Sequence, residues 1–311
     1  GTAAAGGLGA VIENAKSIPG FFDFFGIATP TTVDGVQQVV NGQPQFGAAG
    51  NYSILSIISN VAWGLGYFGM PQVLLRFMAI RDEHSLTRSR RIATVWVVIS
   101  LTIAVFIGVM GRALFPSALL TASDAENVFI LLSTGLLPAL LAGFVMAGIL
   151  AATISSSDSY LLIAASAFAK NLYQGLMHKK ATDKHVMIVS RITLLAVTAI
   201  AIVIALDENS VIFTIVSFAW AGFGATFGPL MLLSLFWKRI TRAGAIAGMI
   251  SGGVMVFVWN LLIRPLGGLW DIYELLPAFI ISCLFIVVVS LLTPKPSAEI
   301  EKEFDEVKAG V

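Results

Sequence analysis

138-PALLAGFVMAGILAATISSSDSYLLIAASAFA-169 carries one charged side chain, Asp158, in an otherwise uncharged run. A helix needs about 20 consecutive apolar residues to cross a hydrocarbon core about 30 Å thick. Extended to Tyr173, this segment holds 36 residues, about 54 Å if fully helical. It must therefore tilt, kink or project beyond the bilayer. Its centre is odd in another way. Six of the seven residues from Thr153 to Ser159 carry a hydroxyl or a carboxylate, inside apolar surroundings.

Outward from this segment the same pattern repeats. Asn51–Leu75, Ile92–Gly111, Asn209–Trp237, Ala243–Ile263 and Leu275–Pro294 are uncharged runs of spanning length, and Val186–Leu206 is broken only by Arg191. Of the 311 residues 57% are hydrophobic and 12% charged, with a mean hydropathy of +0.88. Soluble domains carry about 25% charged residues. The expected fold class is an all-α polytopic membrane protein with seven spans, and its first partner is the lipid bilayer.

Positive charge orients the spans. Of the 19 Lys and Arg residues, all but Lys16, Arg112 and Arg264 fall on one face. These are Arg76 to Arg91, Lys170 to Arg191, Lys238 to Arg242, and the tail lysines. That face is expected to be cytoplasmic. Spans 51–78, 138–173, 211–237 and 273–293 then run inward, and the C-terminus lies in the cytoplasm. Residues 17–50 read as an external connector punctuated by Pro and Gly. Residues 125–137 are too short to span and read as an external surface helix. The opening GTAAAGGLGAVIENAK has no Met and no basic signal-peptide start. Residues 1–12 resemble the last half of a spanning helix, so a C-terminal fragment of a longer protein is expected.

A net charge of +1 argues against nucleic acid as a partner. The single Cys283 gives neither a disulfide framework nor a cysteine metal site. His84, His178 and His185 lie in or beside basic connectors and read as solvated. No zincin motif, phosphate-binding loop or nucleophile elbow is present, so an enzyme reading has little support. No obligatory protein partner is evident.

Two stretches carry chemistry. On a helix Ala152, Ser155, Ser156 and Ser159 share one face, and Asp158 lies one turn from Ser155. Hard cations take oxygen ligands, and a weakly charged oxygen cluster suits a monovalent ion. Helix packing is the alternative for the serines. An acid inside a membrane costs about 2.5–3.5 kcal/mol and marks an ion path; an acid reaching water at the cytoplasmic mouth is its alternative. The second stretch is 63-WGLGYFGMP-71, where three glycines and a proline break a helix at mid-depth. Broken helices are tolerated where they line a transporter's cavity, and Trp63 and Tyr67, four apart, offer one wall for a small apolar body. In 219-AWAGFGATFGP-229 the Gly224/Gly228 pair reads as helix packing.

The stretches WGLGYFGMPQVLLRFMA (63–79), AGILAATISSSDSYLLIAASAFAKNLY (147–173), SFAWAGFGATFGPLMLLSLFWKRITRAGAIAGM (217–249) and YELLPAFIISCLFIVVVSLL (273–292) resemble the sodium/solute symporter family, its proline-carrying members most closely. The resemblance covers nearly all of the chain outside 17–50. It implies a leucine-transporter-like inverted-repeat fold. Residues 1–16 would then end the fifth core helix, 51–237 supply core helices six to ten (the second repeat), 238–293 add two further helices, and 294–311 form a cytoplasmic tail. It also implies sodium-coupled symport of L-proline into the cell by alternating access, in the inner membrane of a prokaryote, with Na+ as coupling ion. Ala152, Ser155 and Ser156 would be the eighth core helix's share of the main sodium site. Asp158 and Ser159 match a second sodium position of some relatives. Trp63, Gly66, Tyr67 and Pro71 would line the proline site, where Met70 departs from the polar residue expected. The alternatives are a family member for another small organic solute and a transporter-like membrane sensor.

Overall fold

The computed structural model describes residues 2–33, 36–207 and 211–309. The first two residues of the expected Asn209–Trp237 span and the outermost chain ends lie outside these. Among the described residues six helices are long and apolar enough to cross a membrane: His84–Leu114, Ala139–Met177, Asp183–Ala205, Ile212–Phe236, Arg242–Leu266 and Leu275–Leu292. The bent pair Ile54–Phe68 and Pro71–Met78, meeting at 49°, is long and apolar enough to make a seventh if it is one broken span. The protein is a multi-pass, all-α membrane protein. Most of its Leu, Ile, Val and Phe side chains are exposed, as lipid-facing helices require.

The chain forms two compact units. The first holds Gly1–Ser17, Pro30–Gln45 and Ala104–Val211. It begins with helix α1 (Leu8–Lys16). The helix starts later than the sequence suggested because Gly6 and Gly7 adopt positive φ angles of 86° and 102°, which end any helical register upstream. The same unit carries two short ladders from the external connector, β2 (Thr32–Val33) with β3 (Val36–Gln37), and β4 (Val39–Val40) with β5 (Gln43–Pro44). Asn41 and Gly42, with φ of 51° and 75°, close the second as a tight hairpin.

The rest of this unit is helical. The expected surface helix at 125–137 is two pieces, α5 (Ala122–Glu126), capped by a Thr121–Asp124 capping box, and α6 (Val128–Leu136). The long segment α7 (Ala139–Ser166) passes without a break into wide π-type turns over Ala167–Met177. Their register is seen in the His178 N–H bonding the Tyr173 carbonyl at 2.7 Å. The helix thus changes type at the end where charge begins. Helix α8 (Asp183–Ala205) returns across the membrane and packs on α7.

The second unit holds Ile18–Thr29, Phe46–Ile103 and Ile212–Val311. Strands β1 (Gly26–Ile27) and β6 (Gly50–Asn51) pair across its part of the connector. Helix α2 (Ile54–Ala62), capped by Ser53, leads into the broken region, and α3 (Pro71–Met78) leaves it. Helix α4 (Glu83–Leu114) runs from this unit into the first. Helices α9 (Ile212–Phe236), α10 (Arg242–Val258) and α11 (Leu275–Leu292) form the core, with Ala221, Ala225, Val256, Leu275, Ala278 and Phe279 buried at its centre. Helix α12 (Ala298–Ala309) is the solvated tail helix, and Lys238 meets its Asp305 at 3.2 Å.

Small residues set this packing. Gly244, Gly248 and Gly252 recur every four residues along α10; the first two face Ser290 and Ile286 of α11, and Gly252 faces the Ala225 carbonyl of α9, with Ser282 of α11 beside it. A Cβ at any of the three would overlap a neighbouring atom. Without a solvent-driven hydrophobic force between helices, close approach and cross-helix hydrogen bonds take over. Ser282 Oγ donates to the Gly248 carbonyl at 2.8 Å, and Ser290 Oγ accepts the Thr241 N–H at 3.1 Å. Gly224 and Gly228 of α9 act likewise, meeting Gly66 and Leu275, and Phe279 and Leu65.

Candidate functional site

The break between α2 and α3 follows from its residues. After Ala62 the turns tighten to 3-10 geometry over Trp63–Phe68, where glycines at 64 and 66 leave little side-chain support for an α-helix. Gly69 ends them, bonding back to the Gly66 carbonyl at 3.0 Å, and Met70 is extended. Pro71 then restarts the helix at its first position, where its missing N–H costs nothing. For the same reason it cannot donate to the Tyr67 carbonyl four residues back.

Three aromatic rings gather on Trp63. Phe213 lies parallel at 5.3 Å, Trp220 at 5.4 Å and Tyr273 at 6.0 Å, all within 15° of its plane. Trp220 also meets Tyr67 edge-on at 4.8 Å. Its Nε1–H donates to the Trp63 carbonyl at 3.0 Å, at the point where α-turns give way to 3-10 turns. Gly66 is buried because the same indole covers it, and a Cβ there would strike the pyrrole edge of Trp220. Tyr273 is held at both ends: its N–H donates to Ser59 Oγ at 3.1 Å and its hydroxyl to the Ser217 carbonyl at 2.6 Å.

Of the four residues expected here, Trp63 and Tyr67 join one aromatic cluster through Trp220. Gly66 is the spacer that lets that indole approach, and Pro71 starts the second limb. Tyr67 keeps about half of its surface exposed, whereas Met70 is buried. Trp220 and Tyr273 are neighbours that sequence reasoning missed. The signal for Trp220 was present, as one of two aromatic side chains, with Phe223, in the small-residue stretch 219–225.

The oxygen-rich set lies on continuous α7. Ala152, Ser155, Ser156, Asp158 and Ser159 are all exposed. Ser159 Oγ donates to the Ser155 carbonyl at 3.1 Å, and Thr153 Oγ1 to Ile149 at 3.0 Å. A hydroxyl whose hydrogen is spent on its own helix points only lone pairs outward. Ser159, on the shared face, therefore presents only oxygen lone pairs outward, the kind of ligand an alkali cation takes. Among the described residues no group of three or more His, Cys, Asp or Glu side chains converges to hold a transition metal.

The model of the sodium:solute symporter family matches residues 10–252. The chain belongs to that family. Relatives named for their cargo align with most of it. A high-affinity proline transporter of Bacillus subtilis is 42% identical over 255 residues, covering 82% of this chain and 53% of the relative. An osmoregulated proline transporter of the same organism is 41% identical over 245 residues, 79% of this chain and 49% of its own length. A sodium/proline symporter of Staphylococcus aureus is 40% identical over 262 residues, 82% of this chain and 51% of its own. The chain spans about half the length of the curated relatives it matches. Its broken α2–α3 span and the oxygen face of α7 both fall inside the family match.

Proposed function

We propose that this chain works in a secondary active transporter that couples inward sodium flow to uptake of L-proline by alternating access. The observation that carries the reading is identity of 40% or more to proline transporters across about four-fifths of the chain. Residues 51–237 are read as core helices six to ten of a leucine-transporter-like inverted repeat, 1–16 as the end of the fifth, and 238–293 as two added helices. Ala152, Ser155 and Ser156 would supply oxygen ligands for the coupling sodium, and Asp158 and Ser159 those of a second. Proline, a zwitterion with an apolar ring, would pack against Trp63, Gly66, Tyr67 and Pro71. The lopsided distribution of Lys and Arg supports a cytoplasmic C-terminus, in the cell membrane.

One sodium ion descending 100 mV releases about 2.3 kcal/mol, and a tenfold sodium gradient adds about 1.4 kcal/mol. Together these sustain an accumulation of roughly several hundredfold. The test is uptake of labelled proline by cells that lack their own proline carriers and express the intact gene product, with and without a sodium gradient. Sodium-dependent accumulation is expected, and Ser155→Ala/Ser156→Ala should raise the sodium concentration for half-maximal uptake at least tenfold. Uptake indifferent to sodium would remove the coupling. Competition by other small solutes, with proline inert, would reassign the cargo.

A further inference from the structure

Where the π-type turns end and α8 begins, Tyr173, His178, Lys179, Lys180, Ala181 and His185 line a cavity of about 570 Å³. Its wall carries two lysines and two histidines and no carboxylate. The loop that presents them is fixed: Gln174 Nε2 donates to the Ala181 carbonyl at 3.2 Å, and the Ala181 N–H bonds the His178 carbonyl at 2.9 Å. His178 Nδ1 lies 2.7 Å from the Met177 carbonyl and so carries the proton, leaving Nε2 free. Its ring leans on Tyr173 at 5.1 Å. His185 Nδ1 is 3.0 Å from Thr182 Oγ1. Asp183, in the first turn of α8, is the acid adjacent to this cluster, and Lys184 follows it.

The cavity lies where two spans, Ala139–Met177 and Asp183–Ala205, meet. Leu172, Leu176 and Met177, in the turns that lead to the cavity, and Met187 and Ile188, in the first turns of α8 after it, are exposed apolar side chains. Free phosphate would use the cations alone. A ligand with a phosphate head and hydrocarbon tails would use both, and basic pockets between spans on the cytoplasmic side suit anionic headgroups. We propose that this cavity binds the headgroup of an anionic phospholipid. Lys179 and Lys180 pair with its phosphate, the ring nitrogens of His178 and His185 border it, and the acyl chains run along Leu172, Leu176 and Ile188.

The proposal does not rest on the cargo, because its readout is lipid binding rather than transport. The purified protein in neutral detergent would be titrated with short-chain phosphatidylglycerol, short-chain phosphatidylcholine and inorganic phosphate, following intrinsic fluorescence and native mass. Phosphatidylglycerol should bind at least tenfold more tightly than either of the others. Each basic residue near an anionic headgroup contributes about fivefold at low salt, so Lys179→Gln/Lys180→Gln should weaken it by about thirtyfold. Arg88→Gln/Arg90→Gln, a basic pair elsewhere, should leave affinity within twofold. Elution as a single species shows that each variant is folded. Equal binding of phosphatidylcholine, competition by inorganic phosphate at equal concentration, or equal loss in both double variants would overturn the proposal.

Discussion

Gly66→Ala is the sharpest probe of the broken span. The new methyl group would occupy the position of the pyrrole edge of Trp220, so the indole has to swing away. Overpacking of this kind costs about 1–3 kcal/mol. The indole also gives up its 3.0 Å bond to the Trp63 carbonyl, worth about 1 kcal/mol. Leaving the ring stack forfeits about 0.5–1.5 kcal/mol more. Alanine's better helix propensity offsets at most about 1 kcal/mol. With that offset in full, a net loss of about 1.5–4.5 kcal/mol follows from those terms. The assay is unfolding by sodium dodecyl sulfate in mixed micelles, read by circular dichroism and repeated in a Trp220→Ala background. There the methyl meets no indole, and the cost of Gly66→Ala should fall below about 1 kcal/mol, a coupling typical of residues in contact. Equal losses in both backgrounds would refute the idea that Gly66 exists to seat Trp220.

Three further outcomes are expected. Gly248→Val should lower stability by about 1–3 kcal/mol, because its side chain meets Ile286 of α11, and Ile286→Ala in the same chain should restore part of it. Arg264 reaches Glu274, almost fully buried, at 3.0 Å and the exposed Asp271 at 2.9 Å. Arg264→Ala strands the Glu274 charge and should cost about 3 kcal/mol, the low end for a broken buried pair since the arginine is partly exposed, and Glu274→Gln should cost less. The Ser85 backbone N–H, then its hydroxyl, holds the Asp82 carboxyl below its ordinary value. A lowered folded-state pKa stabilises above the unfolded value and is lost as pH falls through the folded one. The protection of the Ser85 amide, its exchange rate relative to an unstructured amide at the same pH, should therefore hold at neutral pH and fall only in acid, below the ordinary carboxylate range; a fall nearer neutrality would contradict this.

The spans were legible because uncharged runs of this length have no other stable home. Leu275–Pro294 was expected and α11 occupies Leu275–Leu292. The break at Gly69, Met70 and Pro71 was legible too, since glycine and proline act through local backbone chemistry. Partnership across distance was not. Trp220 and Trp63 are 157 residues apart, and no spacing rule links them. The α10 stripe of Gly244, Gly248 and Gly252 has a readable period, but its fit to Ser290 and Ile286 of α11 and to the Ala225 carbonyl of α9 depends on which helices lie opposite. The two-residue ladders of the connector were unreadable for another reason. Pairs such as Val39–Val40 are too short for alternation to develop, and only the Asn41–Gly42 turn signalled one of them. On α7 the shared face of Ala152, Ser155, Ser156 and Ser159 followed from helical periodicity alone, whereas the hydroxyl bond that orients Ser159 needed coordinates.

The two limbs of the interrupted span are not equal. The limb before the break is clasped to helices of its own unit by Trp220, which bonds the Trp63 carbonyl, and by Tyr273, whose N–H its Ser59 accepts. The limb after it, Pro71–Met78, buries none of its eight residues. The joint itself belongs to the held side: a Cβ at Gly69 would overlap the backbone of Phe223, Gly224 and Gly228 of α9, and Met70 is buried. Past Met70 the chain is an overhang on a bracket. Substitutions from Trp63 to Met70 disturb the seat on α9, whereas those at Leu75 to Met78 alter an exposed surface.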